Sequence, residues 1–191
     1  MSPLSPPSSG GSAVSSGENA MLTGLGLLQE CFPALLIPNA LGMTSGTLRA
    51  TGIGLTAGQI VTNVGVFVSV TTSGTNPTLI RFGLYDNASN LVASTGNLNA
   101  SGLFTTQGYV QTAFSATYTV GTSGLFYVAY IQNGVFSVTN PTFYSGTTST
   151  QAGKPLTSGK RYWFEQTGLT DLPNPAVPAN PVSAPVWFGL S

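Results

Sequence analysis

Two long stretches of this chain alternate apolar and polar residues with a period of two, and few folds accept that pattern. In residues 60–70 the even positions Ile60, Val64, Val66, Val68 and Val70 are aliphatic, while the odd ones include Asn63, Gly65 and Ser69. In residues 109–120 the even positions carry Val110, Phe114, Ala116, Tyr118 and Val120, against Gln111, Ser115, Thr117 and Thr119. A third stretch, 78–85, sets Ile80, Phe82 and Leu84 on one side and Arg81, Gly83 and Tyr85 on the other. Successive strand side chains point to opposite faces, so the pattern predicts half-buried strands of an antiparallel sheet.

The rest of the chain is organised by what joins those strands. Residues 71–77 and 86–90 concentrate turn formers, the second closing a hairpin onto 91–95. Residues 125–131 are apolar on both faces, which predicts a central strand covered on both sides. Shorter strands are expected at 47–52, 161–165 and 186–190, and at 34–37 either a first strand of the sandwich or an arm exchanged between subunits. Met21, Leu25, Leu28 and Phe32 form a helix-like stripe weakened by Gly24 and Gly26. Residues 135–160 read as long loops, and the prolines of 172–185 exclude a ladder or a helix. The expected architecture is all-β, an antiparallel β-sandwich of jelly-roll type with an extended N-terminal arm. The chain divides into a Pro/Ser/Gly arm at 1–19 that cannot build a core, an anchoring or strand-exchange segment at 20–45, and the sandwich domain at 46–191.

Charge narrows the function. Charged residues make up 5% of the 191, five acidic against five basic, where a soluble domain ordinarily carries about 25%. Net neutrality favours association, so the surface suits a protein that lives inside an assembly. No basic patch exists to follow a phosphate backbone, which argues against nucleic acid as a partner. No apolar run is long enough for a membrane span, and the N-terminus lacks the pattern of a secretion signal.

Chemistry has little to work with. There is no histidine, and Cys31 is the only cysteine, read as a small buried hydrophobe. The acids Glu18, Glu30, Asp86, Glu165 and Asp171 are scattered; a carboxylate pair from Glu165 and Asp171 is the one conceivable acid/base couple. Asp86, Asn87 and Asn90 could offer oxygens to calcium, but a plain Asx turn is the favoured reading. Asn87 and Asn99 each open an Asn-Ala-Ser acceptor pattern in expected turns. No phosphate-binding glycine pattern occurs, and neither cofactor nor metal is expected. Tyr162, Trp163, Phe164, Trp187 and Phe188 gather late in the chain; exposed, they could stack on a glycan, and otherwise they serve the core or a subunit contact.

The segments 54–58, 81–86 with 90–95, and 118–130 (Tyr-Thr-Val-Gly-Thr-Ser-Gly-Leu-Phe-Tyr-Val-Ala-Tyr) resemble a β-sandwich module of virion proteins in tailed bacteriophages, notably phages of actinobacteria. The resemblance covers about residues 50–190. It implies a non-enzymatic structural role on the particle surface, commonly as a homotrimer, with no catalytic residues to carry over. The expected function is capsid decoration or a short head fibre bound to the major capsid protein. The alternative is a minor tail or tail-fibre protein that binds host-surface glycans.

Overall fold

The computed structural model of the protein describes residues 24–31, 39–146, 163–178 and 184–191. Eleven strands run in chain order: β1 (Gln29–Glu30), β2 (Asn39–Gly42), β3 (Leu48–Leu55), β4 (Ile60–Val70), β5 (Leu79–Tyr85), β6 (Leu91–Ser94), β7 (Gly108–Thr119), β8 (Gly124–Asn133), β9 (Thr142–Ser145), β10 (Trp163–Gln166) and β11 (Phe188–Leu190). Their pairing is nested: β2 with β9, β3 with β8, β4 with β7, and β5 with β6, every pair antiparallel. One long hairpin rolled over on itself produces that nesting, and two sheets packed face to face are the result. The fold is an antiparallel β-sandwich with jelly-roll connectivity.

One sheet runs β10-β3-β8-β5-β6. The other is built on β4, whose one edge pairs with β7 while its opposite edge is shared, β11 taking Val64–Val66 and β9 taking Val68 and Val70. β2 lies outside β9 and β1 outside β11. The main core fills the space between the sheets with Val64, Val66, Val68, Ile80, Phe82, Leu84, Phe126, Val128, Phe143 and Phe188. Tyr130 stands at its centre, with ring centroids 5.3 Å from Phe82 and 4.9 Å from Phe143. As its two-sided apolar sequence predicts, β8 is central: Phe126, Val128 and Tyr130 face this core, while Tyr127, Ala129 and Ile131 join a second cluster on the outer face of the sheet.

That outer cluster, which includes Leu48, Ala50, Tyr85 and Phe164, is covered by residues 169–176, the start of the proline-rich stretch among them, with Leu169, Leu172 and Ala176 packed on it. Proline removes ladder donors, so the stretch is held by other bonds. The Tyr85 hydroxyl donates to the Pro173 carbonyl at 3.0 Å, Leu91 N donates to Asn174 Oδ1 at 3.0 Å, and Ala176 N donates to the Ser89 carbonyl at 2.9 Å.

Several expectations are corrected. Ile60 is exposed, because the β4 register breaks between Val61 and Asn63 and turns Val61 inward in place of Ile60, and Val70 is exposed at the other end of β4, where the pairing with β9 shifts between Val68 and Val70. Across the first of these breaks the partner strand steps from Tyr118 to Ala113, so β7 bulges there and Ala116 faces solvent. A bulge changes which side chains face the core without any change in composition. Of the helix-like stripe, Met21 and Phe32 lie outside the described residues; residues 24–25 are helical, and by Gln29 the chain is a strand. Residues 135–160 contain β9, and β2, before residue 46, pairs with it. The arm at 1–19, the stretch 34–37 and residues 161–162 lie outside the described residues.

Candidate functional site

Four of the five late aromatics are interior. Trp163 is 5% exposed, Phe164 1%, and Trp187 and Phe188 0%; Tyr162 lies outside the described residues. Because β11 alternates, Phe188 points between the sheets, 6.2 Å from Phe82, while Trp187 points to the outer face, 4.8 Å from Phe67 and 6.1 Å from Tyr109. Phe164 packs edge-on to Tyr127 at 5.1 Å. Stacking on a sugar needs an exposed ring face, so these four side chains form no glycan platform on this chain.

Trp187 marks where the two ends of the described chain are tied together. Its indole Nε1 donates to Glu30 Oε2 at 3.0 Å, Leu28 N donates to the Leu190 carbonyl at 2.7 Å, and Cys31 N donates to the Phe188 carbonyl at 3.0 Å. Cys31 is buried, as expected, and Phe188 N donates to its sulfur at 3.1 Å. Beside Trp187 the Tyr109 ring lies over Gly65, where a Cβ would collide with it.

Burial raises the pKa of Tyr109 to about 12. It likewise raises Tyr85, with the nearby Asp171 charge adding to the effect, and Tyr130, where Arg49 works in the opposite direction. Each folded pKa lies above the unfolded value of 10.0, so the folded state holds these protons more tightly. The associated stability is whole below about pH 10 and is lost as pH rises through the folded values. Urea midpoints measured from neutral to strongly alkaline pH are expected to fall beyond that point, and Tyr109→Phe removes part of the fall.

Every charged side chain among the described residues has a partner. Arg49 Nε donates to Glu165 Oε1 at 3.0 Å on the inner side of β3 and β10, with both side chains nearly buried. Arg81 Nη1 lies 3.3 Å from Asp171 Oδ2 on the outer side. Glu165 and Asp171 therefore sit on opposite faces of one sheet and make no acid/base pair. Asp86 Oδ1 accepts from Ala88 N at 2.8 Å and Asn90 N at 2.9 Å, and Oδ2 accepts from Asn90 Nδ2 at 3.0 Å. This is the Asx turn; no metal-holding group of three or more acids, cysteines or histidines occurs among the described residues.

A cleft opens where the turns after β5 and β7 meet. Its volume is about 400 Å³, and its walls are Asp86, Asn87, Ala88, Tyr118, residues 121–124 and Phe126. The walls are braced by the turn after β3: Ala57 N donates to Ser123 Oγ at 2.9 Å, and Gly58 N to the Val120 carbonyl at 2.8 Å. Tyr118 is half-buried between the exposed Thr117 and Thr119, with its ring 6.1 Å from Phe126. Its place in the β7 alternation was legible in the sequence, but its meeting with the 86–90 turn was not.

No protein-family model matches the chain, and none of the curated proteins matches it.

Proposed function

We propose that this chain is a bacteriophage virion structural protein, a capsid-decoration or short head-fibre protein that stabilises the shell through subunit contacts. The observation that carries the reading is β7. It is a 12-residue edge strand without a charged residue or proline, and its second edge has no strand partner among the described residues. Lone soluble domains blunt such an edge with lysine, proline, a bulge or a covering segment, because it otherwise pairs with another chain; β7 has the bulge after Ala113 but neither lysine nor proline. Among the described residues, four charged side chains pair within the chain, Arg49 with Glu165 nearly buried and Arg81 with Asp171 partly exposed, which leaves little charge to keep copies apart. The jelly roll itself recurs in viral capsid proteins and also in lectins, so the fold is compatible with the reading without deciding it.

The expected partner is the major capsid protein, and the expected assembly a homotrimer. Light scattering of the full chain is expected to give a trimer. Charged replacements on β7, Ala116→Lys with Thr117→Lys, should reduce it to monomer while leaving the unfolding free energy from urea titration within about 0.5 kcal/mol of the parent. Quantitative mass spectrometry of purified particles should find the chain in proportion to the major capsid protein. A monomeric chain absent from particles overturns the proposal. The tail-fibre alternative loses the aromatic platform on which it rested, since Trp163, Phe164, Trp187 and Phe188 are buried.

A further inference from the structure

We infer that the cleft between the β5–β6 and β7–β8 turns is a binding site for a neutral saccharide. Three features converge there. Its volume, about 400 Å³, lies within the range of about 300–1,000 Å³ usual for small-molecule sites. Two aromatic side chains line it, the half-buried Tyr118 and Phe126, with ring centroids 6.1 Å apart, which gives apolar surface against which a pyranose can rest. Around these rings stand the turn side chains Asn87, Thr122 and Ser123 and the Asp86 carboxylate, a set of short donors and acceptors suited to vicinal hydroxyls.

The walls are ordered before any ligand arrives. Asp86 fixes one turn through its own backbone and Asn90 bonds, and Ser123 is anchored to Ala57 across the cleft's rim. Preorganised groups lose little freedom on binding, which matters for the small binding energy a single sugar ring provides. The charge of the site selects the ligand class. Among the described residues Asp86 is the only charged one lining the cleft, so a uronate or sialate meets like charge there, while an uncharged hexose does not. The site takes Tyr118 from β7, but the inference does not rest on what pairs with that strand's open edge or on any position on a particle.

The test uses the full chain and ligand-observed saturation-transfer NMR with the methyl glycosides of glucose, galactose, mannose, rhamnose and N-acetylglucosamine, each at about 10 mM, above the roughly 1 mM Kd typical of weak contacts. At least one neutral glycoside is expected to show transfer. Gly121→Trp should abolish it by placing a large side chain at a lining position whose Cβ meets nothing within 4 Å. Asn87→Ala and Tyr118→Ala should each weaken binding about tenfold, and Tyr118→Phe should retain most of it. Near-UV circular dichroism confirms that each variant is folded. Silence from all five sugars, binding indifferent to both Gly121→Trp and Asn87→Ala, or preference for methyl glucuronide over its neutral counterpart overturns the inference. None of these outcomes alters the oligomeric state or particle content on which the assembly reading depends.

Discussion

Replacing Trp187 by alanine is expected to destabilise the protein by about 3–5 kcal/mol, the usual cost of removing a large buried aromatic. The side chain is fully buried and stands against Phe67 and Tyr109, so its loss leaves a cavity that neighbours cannot close without moving β4 or β7. The substitution also takes the indole donor from Glu30 Oε2, which loosens β1 from β11. Urea denaturation should show the loss as a lowered midpoint, with Val177→Ala, at an exposed position, changing stability by less than about 0.5 kcal/mol as a control. Trp187→Phe should recover part of the loss, because the ring contact with Phe67 survives while the bond to Glu30 does not. A midpoint in Trp187→Ala close to the parent means that the outer aromatic cluster does not stabilise the fold.

Breaking the Arg49–Glu165 pair on one side is expected to cost about 3–5 kcal/mol as well, for a different reason. Both side chains are nearly out of water, so Glu165→Ala leaves a guanidinium without its carboxylate, and Arg49→Ala leaves the reverse. Arg49 also donates to the Gly42 carbonyl, and so ties the end of β2 to β3, whereas Glu165 ties β10 to β3. Replacing both partners with Arg49→Met and Glu165→Leu should cost much less than either single loss, since no uncompensated charge remains. The double-mutant cycle separates this coupling from simple loss of packing, and singles that merely add to give the double would refute it.

Some of the architecture was legible early because strand alternation is a local property. Ile80, Phe82 and Leu84 face the core, and Arg81, Gly83 and Tyr85 the other side, as the period of two requires. The same reasoning failed at Ile60 and Ala116, where the irregular pairing of β4 with β7 shifts the face, and at Val70, where β4 pairs irregularly with β9. A bulge depends on the partner strand, and a single strand does not record its partner. β9 escaped because four residues embedded in a Thr- and Ser-rich stretch carry too little periodicity to stand out.

The candidate site was less accessible still. The aromatic residues near the C-terminus were conspicuous by composition, yet burial of Trp163, Phe164, Trp187 and Phe188 assigns them to the interior. The residues that line the cleft look in sequence like ordinary turns, 86–90 and 121–124, with a tyrosine between them. Asp86 was read correctly as the organiser of an Asx turn because its partners Ala88 and Asn90 are its neighbours in sequence.

The sequence by itself determined that this protein is a β-sandwich with little charge and few groups able to do acid/base or metal chemistry. Periodicity and composition carry those properties residue by residue, without reference to distant parts of the chain. Only the tertiary structure decided that residues 169–176 cover one outer face, that residues 27–31 are zipped to the C-terminal strand, and that two turns more than 30 residues apart enclose a cleft. An alternating pattern specifies an inward and an outward face. Which distant segment covers that face is settled by packing and by backbone bonds the local pattern does not encode.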